Sequence, residues 1–296
     1  MIIPYYRSED KNFTLLQGDC RLLLRDFSFE FDMIFADPPY FLSNGGISLQ
    51  SGKVVSVDKG LWDKSKGCAV DHAFNQEWLQ ACRDHLRENG TIWVSGTHHN
   101  IFSVASCLMS LGFKILNVIT WQKTNPPRNI SCRFFTYSTE FIIWARKEQK
   151  VPHTFNYELM KTINGGHQMT DVWSLPAIAR WEKTCKKHPT QKPLALLTRI
   201  IQASTESRAW ILDPFAGSST TGIAANLLDR RFLGIELEKE YLEVSKARKT
   251  EIGDEAVAND FRKKIARVNE KNRFGGGAAD GMLSESSTSY GRDLPF

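Results

Sequence analysis

The sequence predicts an α/β protein in which a mostly parallel sheet carries helices on both faces. Short apolar runs of strand length alternate with amphipathic runs of helical length over most of the 296 residues. One run, Phe31–Ala36, is almost wholly apolar, which is typical of strands that helices cover on both faces. Alternation at this spacing favours parallel pairing, because each helix returns the chain to the same edge of the sheet.

Length and composition suit a single globular domain. Hydrophobic residues make up 42% of the chain and charged residues 24%, which excludes disorder over most of its length. The chain has no run of about 18 apolar residues that could span a membrane. Its N-terminus also lacks the basic head and apolar stretch of a signal peptide. We therefore expect a cytoplasmic protein with one domain over residues 1–274. The small, polar tail over residues 275–296 is expected to be disordered.

The first half of the chain is predicted to form five strands and three helices. In chain order these are strand 13–18, helix 20–26, strand 31–36, helix 73–86, strand 91–95, helix 101–110, strand 114–121 and strand 140–145. The strand at 31–36 ends where two prolines follow, because proline cannot continue a sheet ladder. Residues 41–70 are rich in Gly, Ser and Lys without a period, so we expect a long loop, and such loops are often functional.

The second half adds two strands, so the predicted sheet has seven. Its elements are helix 193–204, strand 209–212, helix 219–228, strand 231–235 and helix 239–249. Between residues 146 and 187 the periodicity weakens. Twelve basic and only five acidic residues lie between Trp121 and Lys192. A surface that faces a polyanion and an ordinary solvated surface both remain open as explanations of this charge.

The motif Asp37-Pro38-Pro39-Tyr40 is the first candidate for chemistry. It follows a predicted strand at its carboxyl end, where open α/β sheets bind their ligands. The two prolines stiffen the backbone, so that the carboxylate and the carbonyls point in fixed directions. These acceptors match the two N–H donors of an exocyclic amine, and the tyrosine offers a flat face to a base.

Two further motifs predict a cofactor site. The small residues of Asp213–Gly222 join a strand to a helix and allow a ligand to approach the backbone. This loop has neither G-x-G-x-x-G nor the lysine of a phosphate loop, which disfavours dinucleotides and nucleoside triphosphates. Glu236 ends the next strand, 23 residues after Asp213, a distance at which an acidic residue commonly binds ribose hydroxyls.

The run His188-Pro-Thr-Gln-Lys-Pro193 precedes a predicted helix. Its lysine and hydrogen-bonding side chains on a stiff turn could hold a carboxylate, although a helix start with proline at its first position explains the run equally well. The six cysteines and seven histidines show no zinc-ligand spacing. We therefore predict no metal site and reduced thiols.

In this order, the four motifs closely resemble the circularly permuted β class of DNA amino-methyltransferases, of the kind found in type II restriction–modification systems. The resemblance covers roughly residues 13–250. It implies a Rossmann-like fold that binds S-adenosylmethionine and transfers its methyl group to adenine N6 or cytosine N4. Many members carry G-x-G in the cofactor loop, where this chain has Gly217-Ser218-Ser219. Serine is small, so we expect cofactor binding to survive.

The resemblance also implies roles for individual residues. Asp37 and the Pro38 carbonyl would accept hydrogen bonds from the amine beside Pro39, and Tyr40 would stack on a base flipped out of the duplex. Glu236 would bind the ribose and Asp19 would lie near the cofactor adenine. The residues implied around the cofactor are Asp19, Asp37, Thr190, Gln191, Lys192, Asp213, Phe215, Gly217, Ser218, Ser219, Thr220 and Glu236.

Contacts to DNA are expected from two regions, the loop at 41–70 and the basic segment at about 124–187. The predicted DNA-binding residues are Lys53, Lys59, Arg128, Arg133, Lys186 and Lys187. Aromatic residues of the second region, including Phe134, Phe135 and Tyr137, are candidates to stack on bases or to pack in the core. The stretches 41–48 and 119–127 look like the second GATC-type methylases of restriction systems, which indicates GATC or a GANTC-like target.

Several alternatives remain open. Aspartate in the first place of D-P-P-Y is typical of adenine N6 members, and serine is commoner in N4-cytosine members. RNA or protein-amide methylases more often carry asparagine there. A regulatory DNA-binding homologue without activity would need a damaged motif, and all four look intact. Double-stranded DNA is the expected partner. A single-stranded substrate, a homodimer and a cognate restriction endonuclease stay open.

Overall fold

The computed structural model describes residues 2–41, 47–50, 53–56, 63–126, 133–183 and 191–273. The strands are β1 (Tyr6–Arg7), β2 (Phe13–Gln17), β3 (Phe31–Ala36), β4 (Ile47–Gln50), β5 (Lys53–Ser56), β6 (Leu86–Gly96), β7 (Lys114–Lys123), β8 (Thr139–Arg146), β9 (Val172–Leu175), β10 (Trp210–Asp213) and β11 (Arg231–Glu236). The helices are α1 (Cys20–Leu23), α2 (Cys68–Asp84), α3 (Ile101–Ser110), α4 (Tyr157–Ile163), α5 (Leu194–Ser204), α6 (Thr220–Leu227), α7 (Lys239–Glu251) and α8 (Glu255–Lys271).

One large sheet runs through the described part of the chain in the order β1-β2-β11-β10-β3-β6-β8-β7-β9. Five neighbouring strands of this order, β2, β11, β10, β3 and β6, pair in parallel. Strand β8 is antiparallel to both of its neighbours. The sheet thus has nine strands where the sequence predicts seven. The seven predicted strands form its continuous centre. The extra strands are β1, with two residues, and β9, with four, at the two edges of the sheet, and both are too short to give a clear period.

Helices cover both faces of the sheet, as predicted. Within β3, Met33 and Phe35 join the core under α5, α6 and α8, whereas Ile34 and Ala36 join the core under α2 and α3. This alternation follows from the two-residue period of a strand. Each face buries its own hydrophobic cluster, and β3 at the centre belongs to both.

The two irregular regions contain more regular structure than the sequence predicts. The segment 41–70 holds the antiparallel hairpin β4–β5, and α2 begins at Cys68. The segment 124–187 holds α4, β9 and a single 3-10 turn at Arg180–Glu182. The strands β4 and β5 pair with each other, whereas β9 pairs with the distant strand β7.

A C-terminal helix, α8, is also absent from the prediction. Asp254 caps its first turn by accepting hydrogen bonds from the N–H groups of Ala256 and Val257. Phe261 and Ile265 enter the core beneath α5. The predicted tail at 275–296 lies outside the described residues. No helix in the described ranges is long and apolar enough to cross a membrane, and the four cysteines they contain are free.

Candidate active site

A cavity of about 460 Å³ opens at the carboxyl ends of β2, β11, β10 and β3. These four strands are parallel neighbours, so the residues that follow them meet at one edge of the sheet. The predicted residues that line this cavity are Asp19, Asp37, Pro38, Pro39, Tyr40, Gln191, Lys192, Asp213, Phe215, Gly217, Ser218, Thr220 and Glu236. The structure therefore brings the D-P-P-Y motif and the cofactor motifs into a single space.

Asp37 is held by three hydrogen-bond donors. Lys192 Nζ donates to Asp37 Oδ2 over 2.7 Å. Tyr40 OH donates to Oδ1 over 2.6 Å, and Ser95 Oγ, near the end of β6, donates to the same oxygen. Burial raises the pKa of Asp37, but the Lys192 ammonium and the three hydrogen bonds outweigh it, so the pKa lies below its ordinary value. Asp37 is therefore ionised at neutral pH and can accept hydrogen bonds.

The backbone after Asp37 is fixed from two sides. Asp63 Oδ1 accepts hydrogen bonds from the N–H groups of Tyr40 and Phe41, over 2.8 and 2.9 Å. The side chain of Asn100, just before α3, donates to the Pro39 carbonyl over 3.2 Å. Tyr40 itself is only 6% exposed. Asp63 and Asn100 belong to no sequence motif, and only the fold brings them to this turn.

A second carboxylate, Glu140, lies beside Asp37 at the start of β8. Lys123 Nζ donates to Glu140 Oε1 over 2.6 Å, and Lys192 Nζ is 3.6 Å from Glu140 Oε2. Lys192, expected near the cofactor carboxylate, thus pairs with Asp37 and approaches Glu140. Sequence reasoning missed Glu140. The available signal was one acidic residue at the start of the apolar run Phe-Ile-Ile-Trp-Ala.

The loop after β10 is built around a buried aspartate. Asp213 Oδ1 accepts from the Phe215 N–H over 3.0 Å, and Thr221 Oγ1 donates to Oδ2 over 2.6 Å. Burial raises the pKa of Asp213 to about 7. Gly217 and Ser219 have φ values of +50° and +53°, in the left-handed region. Ser219, predicted to bind the cofactor, is fully buried and does not line the cavity.

Helix α7 supports this loop from behind. Arg248 Nη1 donates to the Ser218 carbonyl over 2.7 Å and to Thr220 Oγ1 over 2.9 Å. Ser245 Oγ donates to the Gly217 carbonyl over 3.0 Å. These bonds direct the loop's carbonyls toward α7. Neither Ser245 nor Arg248 was predicted, because a polar residue on an amphipathic helix normally faces solvent.

Glu236 and Asp19 form an acidic end of the cavity. Glu236 accepts hydrogen bonds from the N–H groups of Gly217 and Glu238, over 2.8 and 2.9 Å, and burial raises its pKa. Asp19 caps α1 and forms a salt bridge with Arg21. The Arg21 hydrogen bond holds the pKa of Asp19 below its ordinary value. Fixed carboxylates of this kind accept hydrogen bonds from hydroxyl groups.

The chemistry of the cavity fits S-adenosylmethionine. Ribose hydroxyls suit the acidic end, and aromatic side chains form an apolar wall, where Phe215 packs edge-on against Trp78 with ring centroids 5.2 Å apart. Phe74 lies next to Phe215, at 6.2 Å. The volume lies within the range of roughly 300–1,000 Å³ common for ligand pockets. Gln191 lines the cavity and donates to the Glu182 carbonyl, while Thr190 lies outside the described residues.

Exposed aromatic residues precede β8, whose first residues pair with the end of β6 at the same edge of the sheet as the cavity. Phe135 is 96% exposed, and Phe134 and Tyr137 are more than half exposed. The Tyr137 ring stacks on His98, at a centroid distance of 4.7 Å, in the turn that joins β6 to α3. Among the predicted DNA-binding residues, Arg133 is exposed beside them. Lys59, Arg128, Lys186 and Lys187 lie outside the described residues, as does the Lys53 side chain.

Comparisons with known proteins agree with this geometry. A family model described as DNA methylase matches residues 31–247. The type II methyltransferase M2.MboI of Moraxella bovis is 56% identical over 267 residues, which cover 90% of this chain and 97% of that protein. M2.DpnII of Streptococcus pneumoniae is 53% identical over 249 residues, which cover 84% of this chain and 92% of that protein.

Solved structures show the same fold. The M1.HpyAVI–SAM complex is 30% identical, with a TM-score of 0.62, and the match covers 80% of this chain and 98% of that chain. The cytosine-N4-specific PvuII DNA methyltransferase has a TM-score of 0.66 at 18% identity, with 90% of this chain and 95% of that chain covered. The second likeness extends to the fold alone.

Proposed function

The chain belongs to the DNA methylase family and is an S-adenosylmethionine-dependent DNA methyltransferase, and from this premise we propose that it methylates adenine N6 at a short site in duplex DNA. One observation carries the proposal: an ionised Asp37, in a rigid D-P-P-Y turn, shares a cavity with the Asp213–Gly222 loop. Such a turn offers a carboxylate and a carbonyl to an amine at the place where a cofactor would be held.

Asp37 and the Pro38 carbonyl would each accept one N–H of the target amine. Two hydrogen bonds would orient the amine and raise the electron density on its nitrogen. The lone pair of this nitrogen would then be directed at the methyl group of the bound cofactor. When bound, S-adenosylmethionine supplies an electrophilic methyl group: the nitrogen forms the new C–N bond as the C–S bond breaks, and sulfur keeps the electron pair. The methylated amine is then a strong acid, and Asp37 accepts its proton directly or through water.

Adenine is favoured over cytosine by the first residue of the motif, since aspartate there is typical of N6 members of the β class. Either base would have to leave the stacked duplex to reach Asp37, which costs a few kcal/mol in unpairing and unstacking. The half-buried rim of the cavity, where Phe41 and Phe74 meet with ring centroids 6.2 Å apart, supplies apolar surface near the motif.

The DNA surface that we propose comprises Arg133, Phe134, Phe135, Tyr137 and the turn at His98. Its support is the exposure of these aromatic residues and the basic excess between Trp121 and Lys192. The proposed target is GATC or a GANTC-like site, from the likeness of stretches 41–48 and 119–127 to the second GATC-type methylases. By analogy with the type II methyltransferases that it resembles, we propose that the protein acts on DNA in the cytoplasm beside a cognate restriction endonuclease.

The test is mass spectrometry of nucleosides from DNA that the purified protein has methylated. We expect N6-methyladenine, confined by sequencing to one short motif. Exclusive N4-methylcytosine would replace the adenine assignment, and no methylated base with any duplex would contradict the function. Asp37→Ala is the inactive control: it should lower kcat at least about 1,000-fold and keep cofactor affinity within about threefold, because Asp37 is not needed for the loop contacts of Asp213 and Arg248.

A further inference from the structure

The second carboxylate of the active site, Glu140, has no role in the mechanism above. It reaches this site because β8 runs antiparallel to its neighbours, which places its first residues at the edge where β3 and β6 end. Lys192, between the two carboxylates, is 2.7 Å from Asp37 and 3.6 Å from Glu140. The side chains of Lys192 and Glu140 are 8% and 13% exposed, so little of either group is open to solvent.

The three donors on Asp37 occupy most of the positions at which a target amine could bind. Tyr40 and Ser95 both donate to Oδ1, and Lys192 donates to Oδ2. A carboxylate oxygen has about two lone-pair sites. Oδ1 is therefore filled, and an amine that is to donate to Asp37 has one site left, on Oδ2 beside the Lys192 ammonium.

Glu140 offers a second acceptor to two of the three donors. Its Oε2 atom is 3.5 Å from Tyr40 OH and 3.6 Å from Lys192 Nζ. Lys123 holds the other oxygen, Oε1, over 2.6 Å and thereby directs Oε2 toward Asp37. A shift of about one ångström would bring Lys192 to a normal ion-pair distance from Glu140.

We propose, on the basis of the proposed function, that Glu140 is a positioning residue that takes over Lys192 and Tyr40 when the target base enters and so frees an Asp37 oxygen for the amine. Lys192 remains paired throughout the exchange, because it moves from one carboxylate to the next. Without a negative charge at position 140, the same movement would leave a buried ammonium unpaired, which is strongly unfavourable.

The charges around this group suit such an exchange. Two carboxylates, Asp37 and Glu140, face two ammonium groups, Lys123 and Lys192, so the cluster is neutral with Lys192 in either position. Burial lowers the pKa of Lys192, but the attraction of Asp37 and Glu140 outweighs it and raises the pKa above its ordinary value. Lys192 is thus a cation in both positions.

The test is Glu140→Gln, which keeps the size of the side chain and a hydrogen-bonding oxygen but removes the charge. We expect kcat for DNA methylation to fall about 30-fold or more, with DNA and cofactor affinities within about threefold of wild type. The matched control is Glu148→Gln. Glu148 is ion-paired with Arg83 beyond the opposite end of β8, and its variant should keep kcat within about twofold.

A second comparison separates positioning from mere structural support. Glu140→Asp keeps the charge, so its kcat should be at least about tenfold higher than that of Glu140→Gln. In a Lys192→Gln background, adding Glu140→Gln should change single-turnover rates by less than about threefold, because the cation on which Glu140 acts is gone. Thermal melts establish that each variant is folded at the assay temperature.

The proposal is overturned if Glu140→Gln retains kcat within about threefold of wild type, or if Glu140→Asp is as slow as Glu140→Gln. If the wild-type protein methylated none of the duplexes, that result would instead contradict the proposed function. The two failures are therefore distinguishable in the same assay.

Discussion

Buried carboxylates at the cavity differ in charge because their neighbours differ. Asp37 faces the Lys192 ammonium and stays ionised. Asp213 receives only neutral donors, from Thr221 and Phe215, while Asp37 and Glu236 repel its charge, so burial raises its pKa to about 7. One carboxylate thus serves as an acceptor at neutral pH, and the other holds the shape of the cofactor loop.

The raised pKa of Asp213 predicts a pH dependence of stability. An unfolded aspartate titrates near its model value of 3.8 and the folded one at about 7, so the folded state binds more protons between these values. The stabilisation is complete below about pH 4 and is lost as the pH rises through about 7. Asp213→Asn cannot ionise. Its free energy of unfolding should therefore increase by about 2–4 kcal/mol relative to that of wild type as the pH rises across this interval.

Chemical denaturation at a series of pH values measures this difference. The asparagine oxygen can still accept a hydrogen bond from the Phe215 N–H, and its amide can donate one to Thr221. The loop can therefore keep its present conformation in the variant. Parallel stability curves for the two proteins from about pH 4 to about pH 8 would contradict the prediction.

At the scale of elements, the reversed strand β8 decides what surrounds the active site. Its antiparallel direction brings Glu140 to the catalytic edge, and the segment just before it carries the exposed Phe135 and Tyr137 at the same edge. The turn after β6 meets this segment through the His98–Tyr137 stack. Two segments distant in sequence thus form one exposed aromatic surface.

Phe135→Ala should weaken the binding of DNA without changing that of the cofactor. Stacking of one base on an aromatic ring contributes about 1–3 kcal/mol, so we expect Kd for a duplex to rise about tenfold. The measurement is fluorescence anisotropy with a labelled duplex that contains the target site.

The matched control is Phe155→Ala, at the opposite edge of the sheet. Phe155 is also partly exposed and follows the other end of β8, where it packs on Trp144 with a centroid distance of 5.3 Å. Equal losses of DNA affinity in the two variants would argue against a specific role for Phe135.

At the scale of the whole molecule, the chain continues beyond the family core into α8. Phe261 and Ile265 pack beneath α5, and Asn269 accepts a hydrogen bond from the buried Arg199 over 3.1 Å. The segment after residue 274 is small and polar and has few residues that could join a core. The helix and the tail should therefore contribute very differently to stability.

Two truncations test this contrast. A chain that ends at residue 274 should retain the wild-type Tm within about 2 °C and its full methylation rate. A chain that ends at Asp254 loses α8, exposes the core beneath α5 and leaves Arg199 without Asn269. Its Tm should fall by at least about 10 °C. Thermal melts and methylation assays of both chains measure these effects. A marked loss of Tm or activity in the chain that ends at residue 274 would show that the tail docks.

The sequence by itself determined the fold class, the seven central strands and the family, because each depends on local pattern. Strands such as Phe31–Ala36 and helices such as Ile101–Ser110 are encoded in apolar periodicity, and their observed bounds match the predicted ones. The motifs at Asp37, Asp213 and Glu236 were equally readable, since each residue ends or immediately follows a strand and parallel strands end together.

Only the tertiary structure decided which side chains support those motifs. Glu140, Asp63 and Arg248 lie 103, 26 and 35 residues from Asp37 or Asp213 in the sequence, and their local pattern does not show that they contact these motifs. They reach the site because β8 is reversed, because the chain after the β4–β5 hairpin returns to Tyr40, and because α7 packs behind the cofactor loop. Such pairings depend on contacts between distant segments, and these contacts form only once the sheet has brought the segments together.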